Sequence, residues 1–463
     1  MIAHINDYIA LLFVIFVSWI TGFLFLSVFG LRKYAFNIYS KLSIDFSVEN
    51  GVVTIVLFLI SVIVGYFNFY ILYLFIGLLF LIYVTKYIWY KPEEKQQVLN
   101  KELSFPPFYK VLSFIVSSVI VILTLRYFYG HSSLSWDARY IYFFKSKMFF
   151  LENKVSPSFL LNKEYGFSHP DYPLLISLQA SYLYSLFGHI NIGLARLLVL
   201  IYYIAILMFV YGYFKDKQPW YLAILIVIAI LTQRGMRYEA YTGLAEIPLM
   251  LYFMFGTVFY YFYLQNDEPH YLILSGIVLG IGAWTKNEGM AYFISVLISV
   301  AVGTIFYLKK DILVTSKNVL IYLCSGIFFI FPWWLFKYEH HILSSWVFLG
   351  KLSLHINSLR LRTILLTVGK EIILDEPALI ITILVIVFVL FTKIKNGYKM
   401  LISLYLPFAI QFIMYILVYY IQPNPIIWEL NTSCSRIVLQ IIPSILVTGL
   451  LVLFHLNPNV NYE

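Results

Sequence analysis

The chain has 463 residues, of which 61% are hydrophobic and 12% charged, with a formal net charge of +9. Soluble globular domains carry about 25% charged residues, so half that share, distributed around long apolar runs, excludes an ordinary soluble fold and predicts an all-α polytopic membrane protein. The runs are too long and continuous for barrel strands, which alternate every second residue, and in a membrane chain the basic excess reflects cytoplasmic Lys and Arg, not nucleic-acid binding.

The first segment, MIAHINDYIALLFVIFVSWITGFLFLSVFG, has no basic stretch ahead of its apolar run and reads as a retained span, not a cleaved leader. A span needs about 20 mostly apolar residues, which predicts about 13 spans. They fall near 8–30, 50–66, 69–90, 110–128, 192–214, 219–233, 246–264, 271–284, 289–308, 318–337, 377–393, 400–421 and 436–455. The runs at 219–233 and 271–284 are short and could be re-entrant. The hydrophilic stretch YKPEEKQQVLNKELSFPP, at 90–107, predicts an N-terminal bundle of three spans plus cytoplasmic linker (1–107) ahead of a core (108–463). With the N-terminus outside, Arg32, Lys33 and Lys41, then Lys86, Lys91, Lys95 and Lys101, then Lys215 and Lys217, Lys309, Lys310 and Lys317, and Lys393, Lys395 and Lys399 all fall in inside loops. Two outside loops are long, about 129–191 and 338–376. Within the first, HPDYPLLISLQASYLYSLFGHI is expected to lie in the interface, because counting it as a span would invert the charge pattern after it. Tyr and Phe, 40 and 41 residues, are expected mostly as lipid-facing bulk and interface belt. Cys324 and Cys434 lie far apart and have no metal-ligand spacing.

Ionisable groups are expensive in a bilayer, so their positions carry information. In this topology Asp137, Asp171, Arg234, Arg237, Glu239, Glu246, Lys286, Glu288 and Arg436 collect on the outside face. Each also has a plain structural reading. Asp137 suits a helix N-cap, Asp171 a turn, Glu246 the first turn of a helix, TKNEG a tight polar turn, and Arg436 a snorkelling cation. His169, alone near Asp171, has no metal-ligand spacing around it. The second long loop, with His340, His341, His355, Arg360 and Arg362, could shape an acceptor site or simply be solvated.

The segments WDARYIYFFKSKMFF, HPDYPLL, GLAEIPLMLYF, GAWTKNEGMAYF and NTSCSRIVLQIIP occur in this order between about 137 and 450. Together they resemble the GT-C superfamily of membrane glycosyltransferases, in the branch of the protein O-mannosyltransferases and aminoarabinose transferases. The resemblance implies a GT-C-like core with interfacial helices in its first long outer loop. It also implies transfer of a sugar from a polyprenyl-phosphate carrier, dolichyl or undecaprenyl, to a hydroxyl of a protein, lipid or glycan outside the cytoplasm. By the match, Asp137 corresponds to the first-loop catalytic acid and Glu246 to the second acid. Arg436, with Lys286 and Arg237, would hold the carrier phosphate, and His169, Asp171, Tyr172, Asn287 and Glu288 would contact substrate. The chain departs from the pattern where Ala138 follows Asp137 in place of a second acid, and where Glu246 stands for an Asp. The resemblance fixes no cofactor and leaves a divalent metal ion open, with Asp137 and Glu246 as its ligands if one binds. The expected partners are the lipid-linked sugar, the hydroxyl acceptor and the bilayer, with no nucleic acid, in a prokaryotic plasma membrane. The rival readings are a polysaccharide polymerase or ligase using lipid-pyrophosphate donors and a transporter of a lipid-linked substrate. Transporters set ionisable groups near the bilayer midplane, often within inverted repeats, and no repeat is evident here.

Overall fold

The structure, a computed structural model, describes residues 5–34, 36–89, 134–215, 220–342, 357–374, 380–387, 397–422 and 424–455, with five isolated positions between 115 and 126. Among the described residues every regular element is helical. Among the described residues nine stretches of helix are long and apolar enough to cross a membrane, so the chain is a multi-pass membrane protein. These nine stretches fall on nine of the expected positions. The expected spans near 219–233 and 271–284 are helices of 13 and 17 residues, short for a full crossing. Most of 110–128, both ends of 377–393, and the linker 90–107 lie outside the described residues.

The chain divides into two compact units that cross the expected boundary at 107: unit 1 is residues 1–156 with 175–244, and unit 2 is residues 157–174 with 245–463. Unit 1 contains α1 (Ile5–Val28), α2 (Ile38–Val64) and α3 (Phe69–Trp89). It continues with α4 (Phe143–Glu152), α5 (Leu175–Phe187), α6 (Leu197–Lys215), α7 (Trp220–Thr232) and α8 (Arg234–Thr242). The three N-terminal helices are not a separate bundle, because the start of α2 is hydrogen-bonded to α6. Ser40 Oγ donates to Phe209 O at 3.1 Å and Ser43 Oγ to Ala205 O at 2.6 Å, and Asn37 donates to Gly212 O.

Two further expectations are corrected in unit 1. The second span begins at Ile38, not near 50, so Asp45, Glu49 and Asn50 lie inside a 27-residue helix and are buried. Polar side chains are tolerated at that depth because neighbouring helices, not lipid, surround them. The run in HPDYPLLISLQASYLYSLFGHI forms α5, whose residues Leu175 to Tyr184 are all buried in protein. It packs against α4, α2 and α1 instead of lying on a lipid interface.

Unit 2 contains α9 (Glu246–Asn266), α10 (Pro269–Thr285), α11 (Asn287–Phe306), α12 (Ile312–Glu339), α13 (Ser358–Leu374), α14 (Gly397–Ile421), α15 (Ile426–Leu439) and α16 (Ile442–His455). Helix α9 is apolar on all sides and buried from Glu246 to Leu264, so it is the core around which α10, α11 and α16 pack. Lipid offers no hydrophobic drive between helices, so close packing and hydrogen bonds hold them. A Cβ on Gly280 would lie 2.5 Å from Gly326 O, which shows how closely α10 and α12 approach. Much of the tyrosine is internal, contrary to the lipid-belt expectation. Tyr292 OH meets Thr257 Oγ1 at 2.7 Å, Tyr322 OH donates to Phe293 O at 3.0 Å and Tyr415 OH donates to Gln440 Oε1 at 2.9 Å. Inside a bundle the hydroxyl acts as an interhelical tie that the ring shields.

Candidate functional site

Three of the motifs converge in unit 2. Glu246 lies in the first turn of α9, 1% exposed, and no side chain caps that helix end. Lys286 is the single residue between α10 and α11, with extended backbone (φ −158°, ψ 155°). That break turns its side chain out of both helices. Its Nζ lies 3.0 Å from Glu246 Oε1 and 2.9 Å from Glu288 Oε1. Arg436, in the last turn of α15, brings Nη1 to 3.6 Å from the same Glu246 oxygen. Glu246 therefore does more than complement a helix dipole, and Arg436 is ion-paired, not merely snorkelling. Two carboxylates and two cations make the cluster formally neutral.

The TKNEG segment is built for this. Lys286 N donates to Gly282 O at 3.2 Å, and Gly289 N donates to Lys286 O at 2.9 Å. A Cβ on Gly289 would stand 2.1 Å from Gly282 O, so only glycine lets α11 start against the end of α10. Asn287 opens α11 and Glu288 follows it in the first turn, where a negative charge is favourable.

The HPDYP segment is in the same unit. His169 adopts φ +49° at the end of a 3₁₀ turn, Tyr172 N donates to His169 O at 3.0 Å, and the two rings lie tilted at 31° with centroids 4.7 Å apart. Asp171 is 1% exposed and interacts electrostatically with Lys337 near the end of α12. Lys337 lies over the Trp333 ring at 5.7 Å, and Trp333 meets Trp284 edge-on at 6.2 Å. Trp284 is two residues from Lys286, so HPDYP and TKNEG are linked through one tryptophan pair. Lys337 escaped the sequence reading because it sits at the end of an unbroken apolar run, FFIFPWWLFK, in no recognisable motif. In the second long loop, Arg360 Nη2 donates to Tyr419 O at 2.8 Å and also to Gln422 O, closing the end of α14. His340 packs edge-on against Phe336 at 4.4 Å. His355 lies outside the described residues.

No family model, curated protein or solved structure matches this chain.

Unit 1 carries the remaining candidates. Asp137 does not cap its helix: its backbone is already helical (φ −61°, ψ −42°) and its side chain makes no capping bond. Ser135 performs that role, since Ser135 Oγ accepts from Ala138 N at 3.1 Å and Ser135 O from Arg139 N at 3.1 Å. Ser135 N also donates to Thr242 O at 3.2 Å, tying the segment to the end of α8. The helix then passes through a π-helical turn, Ala138–Tyr142, a form frequent at functional sites. Arg237 on α8 faces Tyr203, and Glu239 on the same helix is 3% exposed. Arg196, 7% exposed, lies beside Gly243 and was not singled out from sequence, where it reads as the flank of a span.

A divalent metal ion, the cofactor left open by the resemblance, is a poor fit at Glu246, because that carboxylate already faces two cations. Among the described residues no group of three or more His, Cys, Asp or Glu side chains could hold one.

Proposed function

We propose that this protein is a membrane glycosyltransferase that moves a sugar from a polyprenyl-phosphate carrier to a hydroxyl acceptor at the extracytoplasmic face. The observation that carries the reading is the union of Glu246, Lys286, Glu288 and Arg436, brought from three distant motifs into one ion-paired cluster at helix ends. A carrier lipid keeps its tail in the bilayer and its phosphate at the surface, so fixed cations at the ends of membrane helices suit it. The acceptor oxygen attacks the anomeric carbon as the bond from that carbon to the phosphate oxygen breaks. The acceptor proton passes to a carboxylate base, the role that the resemblance gives Asp137, and the carrier leaves as lipid phosphate with inversion. Arg436 stabilises the charge growing on the leaving phosphate, and Lys286 holds Glu246 behind it. Glu246 is assigned here as the residue that positions Lys286 and Arg436, because its carboxylate is engaged by both.

Asp137→Asn tests this. In cells relying on the variant, surface glycans should lack one hexose-sized unit and the carrier-linked sugar should accumulate, while the protein inserts normally. Full transfer by the variant removes Asp137 from the mechanism. No accumulation on deleting the whole protein removes the reading. Release of lipid diphosphate instead of monophosphate would favour the polymerase or ligase. One observation favours the transport reading: Asp45 and Glu49 are buried well inside a membrane span. Uptake of lipid-linked sugar by sealed vesicles, with no glycosidic bond formed, would establish it.

A further inference from the structure

The polar interior of unit 1 belongs to no motif used above. Asp45 and Glu49 stand one helical turn apart on α2. Helix α1 crosses them closely: a Cβ on Gly22 would lie 1.8 Å from Asp45 O. Asp45 has its counter-ion, with Arg32 Nη2 2.8 Å from Oδ2. Glu49 differs. It is 3% exposed, and the Ser18 hydroxyl of α1 bonds to it. Its Oε2 has no hydrogen-bond partner, and no basic side chain pairs with it, among the described residues.

Position sharpens the contrast. Glu49 follows Ile38 by 11 residues and precedes Val64 by 15, counted along α2. At 1.5 Å per residue it is roughly 16 Å from one end and roughly 22 Å from the other, near the middle of the hydrocarbon. An isolated carboxylate there would be far costlier than in water, whereas the neutral acid loses that penalty and gains an O–H donor. Tyr182 of α5 lies within electrostatic range of Glu49. Tyr182 OH lies 3.3 Å from Tyr73 OH of α3, and Tyr73 is 38% exposed. The Tyr182 and Tyr73 hydroxyls therefore make one link between the neighbourhood of the buried acid and the surface of unit 1.

We propose that Glu49 is a proton-exchange site within the membrane, taking up and releasing a proton by way of the Tyr182 and Tyr73 hydroxyls. The step joins one proton to a carboxylate oxygen and changes no other bond. A metal cation would need a shell of oxygen ligands that Ser18 alone does not begin to supply. The other charged groups on elements packed against α2 are engaged elsewhere. Asp7 of α1 accepts from Asn191 at 3.0 Å and pairs with His189 at 3.3 Å. Lys86 of α3 donates to Val28 O at 2.6 Å, and Lys215 of α6 lies over Tyr39 at 5.0 Å. Tyr202 of α6 donates to Gln179 of α5, which in turn donates to Asn50. On α2 itself, Lys41 stands one turn from Asp45, on the Arg32 side, away from Glu49.

The test is infrared difference spectroscopy on the whole protein in liposomes, wild type against Glu49→Gln. A carboxylic acid C=O band should be present in the wild type and lost in the variant. It should fall as the pH is raised through the group's midpoint, the acid-to-carboxylate ratio changing roughly tenfold per pH unit. Tyr182→Phe should keep the band and slow its response to a pH jump. The proposal is overturned if Glu49→Gln removes only carboxylate bands, if the acid band does not titrate, or if Tyr182→Phe responds as fast as wild type. Should Glu49→Gln fail to fold, dicyclohexylcarbodiimide on wild-type membranes replaces it. This reagent adds to a protonated carboxyl and leaves an N-acylurea, located by peptide mass. Modification of Glu49 that falls with rising pH supports the site. No modification, or protection by sodium at constant pH, overturns it. None of these outcomes depends on glycosyl transfer.

Discussion

Glu246 is the residue on which the unit 2 cluster turns, and Glu246→Gln tests that directly. The amide keeps the shape and removes the charge, leaving Lys286 and Arg436 without their shared carboxylate oxygen. Breaking a buried pair by deleting one partner costs about 3–5 kcal/mol. The lower end applies here, since Glu288 still faces Lys286 at 2.9 Å and Arg436 is 23% exposed. We expect a loss of about 3 kcal/mol. Lys286→Met should cost less, because Arg436 continues to answer Glu246. In the double variant Glu246→Gln/Lys286→Met the mismatch disappears, so the cost should fall short of the sum of the single costs by about 2 kcal/mol. The chain supplies its own reporter: Cys434 is buried on α15, two residues before Arg436, and Cys324 is exposed. In a Cys324→Ser background, thiol labelling of Cys434 measures opening of α15. A loss of 3 kcal/mol corresponds to roughly hundredfold faster labelling, at about 1.4 kcal/mol per factor of ten. Additive costs, or unchanged labelling in Glu246→Gln, would refute the argument that these charges hold one another.

Other substitutions probe the parts that position the candidates. Gly289→Ala places a methyl 2.1 Å from Gly282 O and should cost about 3 kcal/mol by the same thiol assay; a neutral result would mean that α10 and α11 can part without penalty. Ser135→Ala removes the cap of the helix carrying Asp137 and should cost about 1 kcal/mol, read as roughly fivefold faster amide exchange at 138–142. Exchange as slow as wild type there would show that the cap contributes nothing. Lys337→Met leaves the buried Asp171 without that cation and should destabilise unit 2 by about 2 kcal/mol, and adding Asp171→Asn should restore part of it. If the second change deepens the loss, the pair is not coupled.

The hydropathy pattern foretold most of the long helices, because a membrane span is a local property: twenty apolar residues satisfy their own backbone and need no particular neighbour. It failed where stability depends on distant partners. The first half of α2 scores as polar, yet Asn37, Ser40, Ser43 and Asn50 are matched by Gly212, Phe209, Ala205 and Gln179, more than a hundred residues away in each case. A per-residue scale charges each polar atom its full desolvation cost and cannot credit a bond it does not see. Helix α5, expected in the interface, is buried instead, because its surroundings are protein that no local pattern reveals. The cluster was partly legible: Glu246, Lys286, Glu288 and Arg436 stand out as charges at the edges of apolar runs. Their pairing was not, because nothing local says that Lys286 sits in a one-residue break aimed at α9.

Under the proposed reading the two cations of the cluster are not equivalent. Lys286 lies between two carboxylates, at 3.0 and 2.9 Å, and is 7% exposed, so its single charge is already matched within the protein. It acts as the post that fixes the break between α10 and α11 and holds Glu246 in place. Arg436 reaches Glu246 through Nη1 at 3.6 Å, and 23% of its side chain is exposed. A guanidinium has five donors in a planar fork, so Arg436 can keep that contact and still offer two parallel N–H groups to a phosphate. Because Glu246 holds the fork from behind, an arriving lipid phosphate meets a cation whose ordering cost is already met by folding. A lysine at 436 could supply the charge but neither the fork nor the simultaneous contact with Glu246, so the cluster selects for arginine at that position on geometry, not on charge.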